Sequence, residues 1–211
     1  MRVTGWKAWS ITAGAIAGIA VFLSASAAPP RPQALQPPAT QELVLSLDQS
    51  QSKVHYEVDS TLHSVHGTFN LKSGILRIDP ATGKAAGEII VYATSGDSGN
   101  SSRDEKMHKT VLESSKYSEI VFRPTLLDGK LAVSGPSDVK LHGVFSLHGG
   151  DHDLVVPVHA EIAGDHWKGT TKFQVPYIQW GLKDPSNFLL KVKPNVDIEL
   201  ELAGSLKPSR P

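Results

Sequence analysis

The chain predicts an all-β domain, a sandwich or barrel of about eight antiparallel strands, and three observations carry that expectation. From Glu42 onward apolar residues recur with a period of two, turn-forming residues punctuate the alternation at short intervals, and a single segment breaks into helical period. The alternation sets come in order. Val54, Tyr56 and Val58 alternate with His55, Glu57 and Asp59, and Val139, Leu141, Phe145 and Leu147 alternate with Lys140, His142 and His148. Leu154, Val156, Val158, Ala160 and Ile162 form the next set, then Trp167, Thr171, Phe173 and Val175, then Ile198, Leu200 and Leu202 against Asp197, Glu199 and Glu201. Each set describes a strand with one dry face and one wet face. Turns fall at Asp79-Pro80 to Gly83, Asp128-Gly129, Gly149-Gly150-Asp151 and Gly164-Asp165, which joins neighbouring strands as antiparallel hairpins. Closure into a barrel would remove the exposed edges of such a sheet.

The exception is Ser102 to Leu112, where Met107, Val111 and Leu112 share one helical face, so a short helix is expected near residues 102–113. Ser102 and Glu105 have the spacing of a capping box, in which a serine and a glutamate satisfy each other's free backbone N–H groups.

Composition bounds the function. The chain has 211 residues, 21 basic and 21 acidic, and no cysteine. Its basic residues are scattered, which excludes the clustered Lys and Arg that a nucleic-acid partner needs. Without cysteine there are no disulfides, no thiolate metal sites and no lipidated thiol.

The N-terminus has Arg2 and Lys7 ahead of the uncharged run Ile11 to Leu23, followed by Ser24-Ala25-Ser26-Ala27-Ala28. That is the layout of a secretory signal peptide cleaved after Ala27, so residues 1–27 are expected to be removed. The alternative is an uncleaved inner-membrane anchor formed by residues 10–28, whose many Ala, Gly and Ser make it a marginal span. Both place the domain outside the cytoplasm, in the periplasm or secreted. Residues 28–41, APPRPQALQPPATQ, form a proline-rich linker. The folded domain is expected over 42–206, with a tail at 207–211.

Two chemistries compete for the remaining motifs. Gly96-Asp97-Ser98-Gly99 resembles a serine-protease nucleophile loop, and His63 or His66, Asp79 and Ser98 even follow the order His, Asp, Ser. Too little chain precedes Ser98 for the first barrel of such an enzyme, and Asn100 stands where a further glycine is usual. Zinc is the second rival, given nine histidines. His63 and His66, three apart, point to opposite faces of a strand, and His142, His148 and His159 fall on wet faces, so no metal site is expected.

The combination of motifs resembles a known family. SGNSSRDEKMHKTVLESSKYSEIVF is similar to the internal signature of the YceI-like, polyisoprenoid-binding exported bacterial proteins, carried here by Arg103, Asp104, Met107, His108, Tyr117, Ile120 and Phe122. Upstream, LHSVHGTF supplies His63 or His66 with Gly67 and Phe69; downstream, LHGVFSLHG and YIQWGL fall where the family has a strand and an aromatic-glycine segment. The resemblance spans about residues 50–206. Ser118 replaces a usual proline, and Tyr177-Ile178-Gln179-Trp180 stands where an Arg-led motif is common.

The resemblance implies an eight-stranded lipocalin-like barrel whose apolar tunnel holds a polyisoprenoid or quinone-like lipid, with no cofactor and no catalysis. Its candidate ligand-binding residues are His63, Phe69, Arg103, Asp104, Met107, Val111, Phe122, Phe145 and Trp180. Met107 suits the task because an unbranched thioether adapts to varied apolar partners. Contact with a membrane surface is a further expectation, and the oligomeric state is left open, a dimer included. The competing function is a metal-dependent or lipid-modifying enzyme of the cell envelope.

Overall fold

The structure, a computed structural model, describes residues 42–208. The expected signal peptide or anchor, the proline-rich linker and the last three residues of the tail lie outside the described residues.

Alternation becomes a closed barrel. The strands are β1 (Leu43–Leu47), β2 (Lys53–Asp59), β3 (Ser64–Ile78), β4 (Ala85–Asp97), β5 (Glu119–Asp128), β6 (Gly135–Leu147), β7 (Gly150–Ala163), β8 (His166–Val175) and β9 (Val196–Pro208). All pairings are antiparallel, and β3 pairing with β4 closes the sheet on itself. Nine strands fill eight positions, because β1 and β2 both lie between β3 and β9. They are one stave interrupted by a 3₁₀ turn at Gln49–Gln51, where the Asp48 carboxylate accepts from Ser50 N at 2.8 Å and from Gln51 Nε2 at 2.8 Å.

The turns occur where turn residues cluster. His148 and Gly149 connect β6 to β7 with φ of 52° and 78°, the paired positive values of a type I′ turn, whose twist matches that of the flanking strands. Gly164-Asp165 joins β7 to β8.

The two barrel ends differ. At the turn end, where β3–β4, β5–β6 and β7–β8 connect, the interior is filled by one cluster that includes Leu76, Ile78, Leu127, Val139, Ile162, Trp167 and Leu206. Ile162 is only 2% exposed. At the opposite, helix end, the chain between β4 and β5 and the long β8–β9 connection fold over the opening. A second cluster forms there around Leu112, Leu147, Val175, Tyr177 and Leu182.

The helix α1 (Ser101–Lys106) is capped differently from the Ser102–Glu105 box. Asn100 is the N-cap and its side chain accepts from Arg103 N at 3.1 Å. Asn at an N-cap is as good an acceptor as Ser, and Glu105 instead faces Lys109 at 2.6 Å. Beyond Lys106 the helix widens into one π-type turn, Met107–Val111, in which Leu112 N donates to Met107 O at 2.8 Å.

Candidate functional site

The inward faces of the strands leave an apolar cavity of about 120 Å³ between the two clusters. Its walls come from every side of the barrel: Val54 and Leu76, Ile89 and Val91, Ile120 and Phe122, Leu141 and Phe145, then the alternate residues Leu154, Val156 and Val158 of β7, Trp167, Gly169, Thr171 and Phe173 of β8, and Ile198, Leu200 and Leu202 of β9. Period-two alternation is the cause, since each strand contributes its odd or even set to the inside. The set switches in β3, where a bulge between Leu71 and Ser73 moves the buried positions from Phe69 and Leu71 to Gly74, Leu76 and Ile78.

Of the nine candidate residues, Phe122 and Phe145 line this cavity. Phe69, Met107, Val111 and Trp180 lie one layer higher, packed against the helix-end cluster. Phe145 belongs to both layers. Its ring meets Phe173 edge-on at 6.3 Å and Trp180 at 5.7 Å, an aromatic step between cavity and cap. Gly96 gives Phe69 and Met107 their room: a Cβ there would come within 2.7 Å of the Phe69 ring and 2.6 Å of the Met107 terminal carbon.

Arg103 and Asp104 sit half-buried on α1. Asp104 Oδ1 accepts from Ser98 N at 2.9 Å and from the Ser98 hydroxyl at 2.6 Å, so Ser98 is committed to fixing the loop ahead of the helix. Tyr56 lies buried beneath, 5.3 Å from the Phe69 ring. Burial first, and then the Asp104 carboxylate, push its phenol pKa up. His63 stands apart, exposed in the β2–β3 turn, its carbonyl accepting from Ser60 N and Oγ.

Three histidines outside the candidate set belong to this end. His108 Nε2 lies 2.9 Å from Gly96 O, so that nitrogen donates, and Nδ1 lies 3.0 Å from the Ser114 hydroxyl. The ring thereby ties the π-type turn to β4. His152 points inward at the start of β7 and stacks on Trp180 at 4.1 Å and 2°; its Nε2 is buried without a partner. Alternation places His152 in register with Leu154 and Val156, and that extension of the inward set was the available signal. His148, expected on a wet face, is 18% exposed, held between Tyr117 at 4.4 Å and Glu113 at 2.6 Å. Among the described residues no group of three or more His, Asp or Glu could hold a metal ion, and no helix is long and apolar enough to cross a membrane.

A closed antiparallel barrel with an apolar interior, plugged at one end and covered at the other by a short helix and a long connection, is the architecture of the small-ligand-binding β-barrels. The comparisons sharpen that class. The model of the YceI-like domain matches residues 45–203, and the chain belongs to that family. A search of curated protein sequences gives no match. Among solved structures, Burkholderia cenocepacia BcnA superposes with a TM-score of 0.63 at 15% identity, covering 75% of this chain and 99% of BcnA. A polyisoprenoid-binding domain from Saccharophagus degradans gives 0.59 at 14% identity, covering 78% and 98%. The YceI protein of Campylobacter jejuni gives 0.51 at 16%, covering 65% and 83%. At these identities the likeness is one of fold.

Proposed function

We propose that this protein is an exported, non-catalytic carrier or store for a long-chain polyisoprenoid or similar lipid, held in the barrel interior. The observation that carries the proposal is the cavity wall, which is apolar on every strand apart from Trp167 and Thr171. An isoprenoid tail offers no charge to recognise, and each buried CH₂ contributes on the order of 0.8 kcal/mol. Kinship in fold with a polyisoprenoid-binding domain supports the same ligand class.

The cavity of about 120 Å³ is small beside the roughly 300–1,000 Å³ of pockets for drug-sized ligands. A long chain therefore enters by displacing aromatic side chains, and the half-buried Phe145, Phe173, Trp180 and Met107 are the ones free to turn. A quinone-like head group would stay at the helix end, near Tyr56, Arg103 and Asp104.

The same end supports contact with a membrane surface. Leu62 is 74% exposed, Phe188 95% and Leu189 83%, and the two loops that carry them are joined by Thr61 N donating to Lys191 O at 2.9 Å and by the Ser60–Val192 bridge. Exposed Lys183 and Lys191 lie in the same connection. Apolar tips flanked by lysine suit shallow insertion into an anionic surface. The location is the periplasm or the exterior, whether the N-terminal segment is removed or kept as an anchor.

Native mass spectrometry of the protein purified from its own envelope, followed by organic extraction, tests the proposal. The expected result is a stoichiometric neutral lipid of regular five-carbon repeat. Retained metal with no lipid would favour an envelope enzyme.

A further inference from the structure

The barrel wall is not sewn evenly. β6 and β7 pair from Gly135↔Ile162 to Leu147↔Gly150, and β8 pairs with β9 along its whole length. Between β7 and β8 the ladder runs from Ala163↔His166 only to His159↔Thr170 and stops. Above that point β7 has only β6 beside it, and Thr171–Val175 have only β9. Pro157 lies in this stretch, where one strand edge is free. A proline inside a sheet belongs at such an edge because its missing N–H is not needed there.

The split connects inside to outside. A groove of about 620 Å³ crosses the outer surface at the foot of the split, from Asp128 and Lys140 past Pro157 to Lys172 and Glu199. Val158 and Thr171, the first residues beyond the last ladder pair, line both this groove and the interior cavity. The Thr171 hydroxyl is buried there without a partner. The other short ladder, between β4 and β5, is closed on both sides. Ala93 N donates to Ser118 O above it, and Leu127 N to Gly83 O together with the Lys84–Leu126 bridge below it.

We propose that the β7–β8 split is a lateral portal through which a lipid chain reaches the interior. The physical reason is the absence of a ladder to break. Parting any fully paired strands of this barrel strands several backbone N–H and C=O groups, each expensive when unsatisfied, whereas β7 and β8 above Thr170 separate without losing a single inter-strand bond. Entry through the helix end must instead lift the buried Leu112, Tyr177 and Leu182. The stacked His152–Trp180 pair sits at the top of the split, where it closes the portal or swings aside.

This inference rests on the lipid-binding proposal, and one experiment separates the two. The chain has no cysteine, so Pro157→Cys with Lys172→Cys, which would face each other if the register continued, forms the sole thiol pair. After extraction of bound lipid, the mature protein is mixed with all-trans-retinol, a fluorescent isoprenoid alcohol, and the rise in retinol emission is followed in time. Oxidising the pair is expected to slow uptake by about tenfold or more, equivalent to a barrier raised by about 1.4 kcal/mol, and reduction to restore it. A second pair, Lys106→Cys with Pro185→Cys, joined by a short bis-maleimide because only the long Lys106 side chain spans the gap to Pro185 O (2.6 Å), staples the helix to the β8–β9 connection; this staple is expected to leave the rate unchanged. Should the split be too wide to oxidise, Lys172→Cys carrying a bulky maleimide fills the groove and is expected to slow uptake likewise. Uptake slowed by the helix-end staple and not by blocking the groove would overturn the portal while leaving lipid binding intact. No retinol uptake by the unmodified protein would overturn both.

Discussion

The turn end and the helix end of this barrel are built from the same alternating strands, yet they are closed by different means. At the turn end short hairpins bring large aliphatic side chains and Trp167 into one continuous cluster. At the helix end closure depends on a short helix with a π-type turn, a long connection, and aromatic rings that remain half-exposed. Rigidity at one end and a looser, partly solvated cover at the other suit a container whose floor must not yield while the wall below the cover parts.

The comparison breaks most sharply under substitution. Ile162→Ala at the turn end removes one of the most buried side chains, and a loss of about 2–5 kcal/mol is expected in chemical denaturation. Trp180→Ala at the helix end, though it deletes a larger side chain, is expected to lose less, about 1–2 kcal/mol, because Trp180 is already partly solvated. Its larger consequence would be faster release of bound lipid. Equal stability losses at the two positions would remove the distinction between floor and cover.

Alkaline pH acts on the cover through Tyr177. Burial, with Asp184 adding to it, pushes the Tyr177 phenol up to about 12, while its hydroxyl donates to Lys193 O at 2.8 Å. The folded state thus holds this proton more tightly than the unfolded chain, whose tyrosine titrates near 10. The contribution is complete below about pH 10 and is lost as pH rises toward about 12, at no more than about 1.4 kcal/mol per unit. Denaturation at pH 9 and pH 11 should show this drop in the native sequence and a smaller one in Tyr177→Phe.

How much of this was legible beforehand follows from what is local. Alternation marked the inward faces of β6 to β9 and so placed Phe145 on the cavity, and the turn residues at Gly149 and Gly164 marked hairpins. The bulge in β3 was not legible, because Leu71 and Leu76 belong to opposite phases of a pattern that looks merely imperfect in sequence. Asn100 as the cap is not separable from Ser102 in the sequence, because both are good acceptors and only the position of the helix start decides between them. The β7–β8 split leaves no trace except Pro157, since divergence of two strands is a property of the whole barrel. His152 was hidden for a similar reason: a histidine in an inward register reads as an irregularity until Trp180, remote in sequence, is seen to stack on it.

Filling the cover is a gentler test than deleting it. Met107→Trp adds apolar volume beside Gly96 and Phe69, with a packing cost of about 1–3 kcal/mol at most. The folded variant should co-purify with less lipid or a shorter chain, as judged by mass spectrometry of the extract. Unchanged stoichiometry and chain length would place Met107 outside the path of the ligand. The same result at Phe145→Trp would count against an interior site.

The smallest effect on the fold should accompany the clearest effect on location. Phe188→Ser with Leu189→Ser alters two side chains at the tip of the β8–β9 connection, whose backbone is fixed by Asn187 Oδ1 accepting from Leu189 N at 2.9 Å and Leu190 N at 2.7 Å. Neither apolar side chain is part of the buried clusters, so stability should move by no more than about 0.5 kcal/mol, as for ordinary surface substitutions. If the helix end meets the bilayer, the native protein floats with vesicles of phosphatidylethanolamine and phosphatidylglycerol and the double variant does not, while Ile162→Ala, altered only at the floor, still floats under conditions where it is folded. Equal flotation of native and double-variant protein would mean the exposed tips do not hold the barrel to lipid. Lipid would then reach the lateral portal from solvent or from another protein.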